Sequence, residues 1–215
     1  MTGRLWNRVR RDGPGATARV AAHRIRKLAY LREEHVWYQC DLDERPRRDL
    51  PDEVRFVRAD ESQVEALALL GRDPDEAREC LAGGNDVWFV FDGDQPLFAC
   101  FTYRHSAPVM AASQGTLPLP PGTACLEDSV TSPAARGRGI APGAWTLIGD
   151  ELARAGFTKL VTKIETANTP SRKAVEKVGY RPVAVMQHQR VGRRRRTAVE
   201  ALGGGLGHEL ATRLS

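Results

Sequence analysis

Apolar and polar positions repeat with two different periods along the chain, and the switches between them outline its elements. Val87-Trp88-Phe89-Val90-Phe91 and residues 96–103 are β-rich runs on either side of Asp92-Gly93-Asp94-Gln95, so the pattern predicts a hairpin. Residues 54–58 approximate a two-residue alternation and predict an earlier strand. Helical spacing over 61–70 and 74–81 predicts two helices between that strand and the hairpin, with Asp73 suited to an N-cap and Pro74 to a first turn. Further on, 124–130 reads as a strand, 142–155 as a helix, 159–164 as a strand, 169–178 as a helix stopped by Gly179, and 181–185 as a strand. The arginines at 193–196 turn the chain into a last strand ending at Leu202.

Ahead of this series, the break at Asp12-Gly13-Pro14-Gly15 is followed by Val20, Ile25, Leu28 and Leu31, an apolar stripe that predicts a helix over 16–34. Residues 35–42 read as a strand and 43–51, with Pro46 and many charges, as a linker. The expected organisation is therefore a basic extension over 1–51, one domain over 52–202, and a glycine-rich tail with a short helix over 203–215. No internal repeat is visible.

The chain has 215 residues, 41% hydrophobic and 27% charged, the range of ordinary globular proteins. No run approaches the roughly 20 apolar residues that cross a bilayer, which excludes a transmembrane helix. Arg4, Arg8, Arg10 and Arg11 lead into no apolar segment, so a secretory signal is not expected and the expected location is the cytoplasm. Cys40, Cys80, Cys100 and Cys125 are widely spaced and read as reduced, buried thiols rather than a disulfide framework or a metal site.

The net charge of +5 suits an anionic partner, which the sequence leaves open as nucleic acid, a membrane surface, an acyl carrier or an anionic cofactor. The basic N-terminal segment is otherwise a solvated face, and Trp6, Val9, Trp37 and Tyr38 offer area for partial burial or a homodimer contact.

The strand ending at Val130 and the helix beginning near Ala141 are joined by a loop containing Arg136-Gly137-Arg138-Gly139-Ile140-Ala141. Free N–H groups at the helix start, glycines that admit close approach, and two guanidinium groups together would attract an anion, and by themselves they suit a solvated turn equally well. The loop lacks the Gly-Lys-Ser/Thr of a P-loop and the glycine fingerprint of a dinucleotide fold.

This loop resembles the pyrophosphate loop of the GNAT N-acetyltransferase superfamily, Arg/Gln-x-x-Gly-x-Gly/Ala. Val130-Thr131-Ser132-Pro133 before it, Asn168-Thr169-Pro170-Ser171 after it, and Gly179-Tyr180 extend the resemblance over 52–202. The resemblance implies an α+β, three-layer fold: a mainly antiparallel twisted sheet flanked by helices, splayed open between the strand ending at Val130 and the strand over 159–164. It implies acetyl-CoA or another acyl-CoA as co-substrate, without a metal. Backbone at Val130 would pair with the pantetheine, residues 136–141 would hold the pyrophosphate, and Asn168 and Ser171 would contact the arm. The implied activity is transfer of an acyl group, most simply acetyl, to a primary amine on a small molecule or peptide.

Such a transfer needs a base for the amine. Glu127 stands at the separation from Arg136 at which some members of the superfamily place an acid, and is the preferred base. Strand alternation puts Glu127 and Ser129 on one face and Leu126, Asp128 and Val130 on the other, so only one carboxylate is expected to face a given pocket. His105 is a lone loop histidine read as exposed. Many relatives carry a tyrosine acid where this chain has Val175, which leaves Tyr103, Ser129 or water to protonate the thiolate; Tyr180 reads as core. That departure also keeps open a non-catalytic protein that senses acyl-CoA, and the basic extension keeps open a nucleic-acid or carrier-binding module.

Overall fold

A computed structural model describes residues 30–112, 114–192 and 194–214, and its longest strand is β1, Tyr30–Asp41. Most of the helix expected over 16–34 lies outside the described residues. Residues 30–34, its last part, are strand instead. They pair with β9, Arg181–Val191, from Tyr30↔Val191 onward, and from His35 to Asp41 the other edge of β1 pairs with β8, Lys159–Glu165. From His35 on, a ladder on both edges satisfies the backbone, and Val36, Trp37, Tyr38 and Cys40 are buried between layers on both faces. Over 30–34, where Arg32 is exposed and Glu33 and Glu34 are half-buried, it is the ladder to β9 that overrides the helical spacing.

The remaining strands are β2 (Arg55–Arg58), β3 (Asp86–Asp92), β4 (Gln95–Tyr103), the short pair β5 (Ser106–Pro108) and β6 (Thr116–Pro118), β7 (Thr123–Thr131) and β10 (Arg194–Ala201). The main sheet runs β10-β9-β1-β8-β7-β4-β3-β2, and every neighbouring pair is antiparallel except β7 and β8. Because β1 sits between β8 and β9, the expected boundary near Asp52 is no break in the sheet. The expected extension supplies a central strand of the domain.

Helices cover both faces, as the α+β expectation requires. α3 (Ile140–Arg154) and α4 (Thr169–Glu176) bury Ile140, Ala144, Ile148, Leu152 and Val175 against Val36, Tyr38, Leu126 and Leu160. The opposite face carries α1 (Ala66–Leu69) and α2 (Pro74–Ala82), packed on Phe89, Ala99 and Phe101. α5 (Gly204–Leu214) covers Trp37, Val161, Ala184 and Met186 on that face. α2 begins as expected, with the Asp73 side chain accepting from Asp75 N and Pro74 in the first turn. The glycine-rich tail departs from expectation, since Leu206, Leu210 and Leu214 are core residues. All four cysteines are free and buried. No helix among the described residues is long and apolar enough to cross a membrane.

The expected linker is strapped to α3. Arg45, with its side chain only 7% exposed, donates to the carbonyls of Leu42 and Thr146 and pairs with Asp150, which also receives Arg47. Arg48 N adds a bond to Thr146 Oγ1 at 3.1 Å. Asp150→Ala would leave the buried Arg45 guanidinium without its carboxylate. A loss of about 2–3 kcal/mol is expected in urea unfolding, the range for a charged hydrogen bond removed from a buried partner. A loss below about 0.5 kcal/mol would mean that the strap contributes little.

Candidate active site

The site grows from an irregularity in β7. Its register with β4 passes from Phe101↔Glu127 to Ala99↔Val130, so Asp128 and Ser129 together stand against Cys100. Asp128 takes up the extra residue at φ 53°, the only positive φ outside glycine among the described residues. This bulge breaks the alternation expected from the sequence. Glu127 reaches Lys163 on the α5 side, and Asp128 turns toward Arg72, 3.6 Å away. Ser129 turns instead toward α3, where it accepts from Trp145 Nε1 at 3.1 Å and donates to Cys100 Sγ. Glu127 and Ser129 are therefore on different faces, and both Glu127 and Asp128 line the same cavity. The expectation that only one carboxylate would face it is corrected by the bulge.

The bulge coincides with the opening of the sheet. β7 and β8 pair only from Thr123↔Lys159 to Cys125↔Val161 and diverge beyond. The gap holds a cavity of about 300 Å3 lined by Glu127, Asp128, Ser129, Lys163, Glu165 and His35, with Val175 on its wall. A second cavity of about 800 Å3 runs from Val130 along the glycine loop. Ser129, Trp145, Asn168 and Ser171 line both, so the two adjoin.

The larger cavity gathers groups that suit an anion. Gly137 and Gly139 adopt φ of 80° and 78°, and a Cβ at either would meet nothing within 4 Å, so the loop leaves its backbone bare. Gly139 caps α3, a helix of 15 residues whose first N–H groups have no partner within the helix. Arg136, Gly137, Gly139, Ile140, Ala141 and Val130 all line this space. Arg138 does not; its guanidinium pairs with Glu53 at 3.2 Å. Asn168 caps α4 by accepting from Ser171 N at 3.2 Å, which fixes both residues at the join of the two cavities. Lys173 and Lys177 add two ammonium groups that the sequence reading did not single out. The signal was available: Pro170, Lys173, Ala174 and Lys177 fall at the i, i+3, i+4, i+7 spacing of one helical stripe.

In the smaller cavity Glu127 is buried, with Oε2 2.5 Å from Lys163 Nζ and Oε1 3.3 Å from Cys125 Sγ. Burial pushes its carboxyl above the usual value against the pull of Lys163. Burial opposes the charge on Lys163 most strongly of any one influence, but the acidic groups around it, Glu127 first, together outweigh it and hold the ammonium above its ordinary range. Lys163 donates further to Pro108 O at 3.1 Å and lies over the Trp37 ring. His35, on β1, was not singled out either, because its strand was expected outside the domain. His105 is exposed and lines neither cavity, as Tyr103 lines neither; burial raises the Tyr103 phenol. Tyr180 is buried in the core. No group of three or more His, Cys, Asp or Glu among the described residues is arranged to hold a metal.

The model of the acetyltransferase (GNAT) family matches residues 22–180. The chain belongs to that family. The GNAT match begins ahead of β1, in keeping with that strand's place in the sheet. Among solved structures, an acetyltransferase of the GNAT family from Colwellia psychrerythraea is 15% identical, with a TM-score of 0.55 over 74% of this chain and 56% of the other. A GCN5-related N-acetyltransferase from Sphaerobacter thermophilus is 14% identical, with a TM-score of 0.54 over 83% of this chain and 58% of the other. These likenesses show the fold, and the chain spans under two thirds of the length of either structure. No curated protein matches the sequence.

Proposed function

We propose that this GNAT protein transfers an acyl group, most simply acetyl, from acyl-CoA to a primary amine by direct attack on the thioester. The observation that carries this reading is the division of charge between two adjoining cavities. Arg136, Lys173, Lys177 and the α3 N-terminus face the larger one, while Glu127, Asp128 and Glu165 face the smaller against the single ammonium of Lys163. Phosphates suit the first and an amine the second. The glycine loop and bare helix start fit a pyrophosphate, and Val130, Asn168 and Ser171 are placed to meet the arm that leads to the thioester.

Glu127 is the proposed base, taking a proton from the amine directly or through a water. Of the groups open to protonating the thiolate, Ser129 is the side chain that lines both cavities, whereas Tyr103 lines neither. Glu127→Gln is expected to lower thiol release from acetyl-CoA on the order of 100-fold with a responsive amine, within the usual worth of a general base. Unchanged turnover across pH would remove Glu127 from the role.

The apolar wall at Val175 favours one second reading, a GNAT fold that binds acyl-CoA without turnover. A panel of amines tested with acetyl-CoA and longer acyl-CoAs separates the two. Binding without thiol release from any amine supports the second reading and rejects the first. The segment over 1–29, with most of the basic residues proposed for nucleic-acid, membrane or carrier contact, lies outside the described residues.

A further inference from the structure

Acylating an ammonium group removes two protons from nitrogen, one before attack and one as the C–N bond forms. Glu127 accounts for one of them, and both of its oxygens already have partners in Lys163 and Cys125. A second acceptor on the same cavity would take the other. His35 is the remaining side chain there whose neutral form is a base near pH 7.

The setting of His35 is specific. It is the first residue of β1 to pair on both edges, with Glu165 of β8 and Met186 of β9, so its backbone is held on both sides at the wall of the cavity. Its Nδ1 is shut off from solvent and has no hydrogen-bond partner among the described residues. Nε2 is not shut off in this way, which leaves it as the ring nitrogen open to the cavity. Nothing bonded to Nδ1 fixes the tautomer, so the ring can present a lone pair at Nε2.

We propose that His35 is a second base of this site, receiving the proton that the attacking nitrogen gives up as it is acylated. This rests on the acyl-transfer reading above. The amine lone pair forms the C–N bond, the C–S bond breaks with its electron pair on sulfur, and the proton on nitrogen passes to Nε2. The imidazolium then returns that proton to water at the cavity mouth, while the thiolate takes a separate proton from solvent or Ser129.

The surroundings favour rapid release of the proton. Burial lowers the His35 pKa from its ordinary value, and Lys163 works in the same direction, against Glu33 and Glu165. The other charged groups on the cavity are Glu127 and Asp128 from β7. From β9 the paired residue is the uncharged Met186, and α4 presents Asn168, Ser171 and Val175. Protonation of the ring should therefore depress wild-type thiol release only below about pH 6.5.

The test measures thiol release against pH for wild type, His35→Gln and His35→Ala, with coenzyme A binding followed by calorimetry. Expected is a fall on the order of 100-fold at pH 7.5 in both variants. Coenzyme A binding should stay unchanged, the limb attributed to the ring should disappear, and added imidazole should partly restore turnover by His35→Ala. Wild-type turnover and pH profile in His35→Gln would overturn the proposal. So would a loss that imidazole does not rescue, or one accompanied by lost coenzyme A binding, since either marks a structural role. If none of the amines makes wild type release thiol, the acyl-transfer reading itself fails and the role of His35 falls with it.

Discussion

Lys163→Met is expected to lower stability by about 3–5 kcal/mol near neutral pH, the cost of leaving one partner of a buried ion pair alone. The variant keeps most of the side-chain volume over Trp37 but removes the ammonium from Glu127 and from the Pro108 carbonyl. Glu127 then has burial raising its pKa with no counter-ion pulling it down. An acid whose folded pKa lies above its unfolded value binds more protons when folded, so the variant should be most stable at low pH and lose stability as pH rises from about 4.5. Urea unfolding at pH 5 and pH 8 checks this: the deficit relative to wild type should be clearly smaller at pH 5. Equal deficits would show that Glu127 is not the stranded charge. Adding Glu127→Gln to Lys163→Met should recover part of the stability, because no carboxylate remains to be buried. It should recover no activity, which separates the pair's structural part from its proposed chemical one.

Gly207→Ala should be nearly as costly, in a segment whose composition suggests only a tail. A Cβ at Gly207 would stand 2.2 Å from the Val183 carbonyl oxygen and 3.2 Å from its carbon. The obstruction is backbone of β9, which cannot swing aside as a flexible side chain would, so α5 must lift off the sheet. Leu206 and Leu210 on the same helix would then lose contact with Trp37, Ala184 and Met186. Overpacking of this kind usually costs about 1–3 kcal/mol, and the rigid neighbour places this case at the upper end. Thermal unfolding of the variant checks it; a midpoint within a degree of wild type would show that α5 has room to shift.

The sequence made the hairpin of β3 and β4, the helices α2, α3 and α4, and the glycine loop legible because each carries a local signal. Turn residues, caps and apolar spacing act within a few positions, and Asp73 stands where those signals put it, while α3 begins two residues ahead of the expected 142. β1 carried no such signal over 30–34. The strand conformation there comes from β9, more than a hundred residues away, and local spacing favours a helix. For the same reason His35 stayed out of view, since its relevance depends on which strands flank it. The bulge at Asp128 was hidden too, because two residues facing one is a property of a strand pair rather than of either strand. Lys173 and Lys177 were readable from helical spacing. Lys163 was not, as its partner Glu127 is 36 positions earlier on a different strand.

The place of β1 also bears on how the molecule comes together. It is early in the chain, yet its neighbours in the sheet are β8 and β9, and its Tyr38 bonds to a residue 138 positions later. β8 and β9 are not hydrogen-bonded neighbours, so β9 and β10 join the ladder of the sheet through β1. During synthesis β1 must wait, with both edges open, until nearly the whole described chain has been made. Contacts of such long sequence separation slow folding and leave strand edges exposed meanwhile. The interval before β8 and β9 arrive is thus the period in which a nascent copy is most open to pairing with the wrong strand.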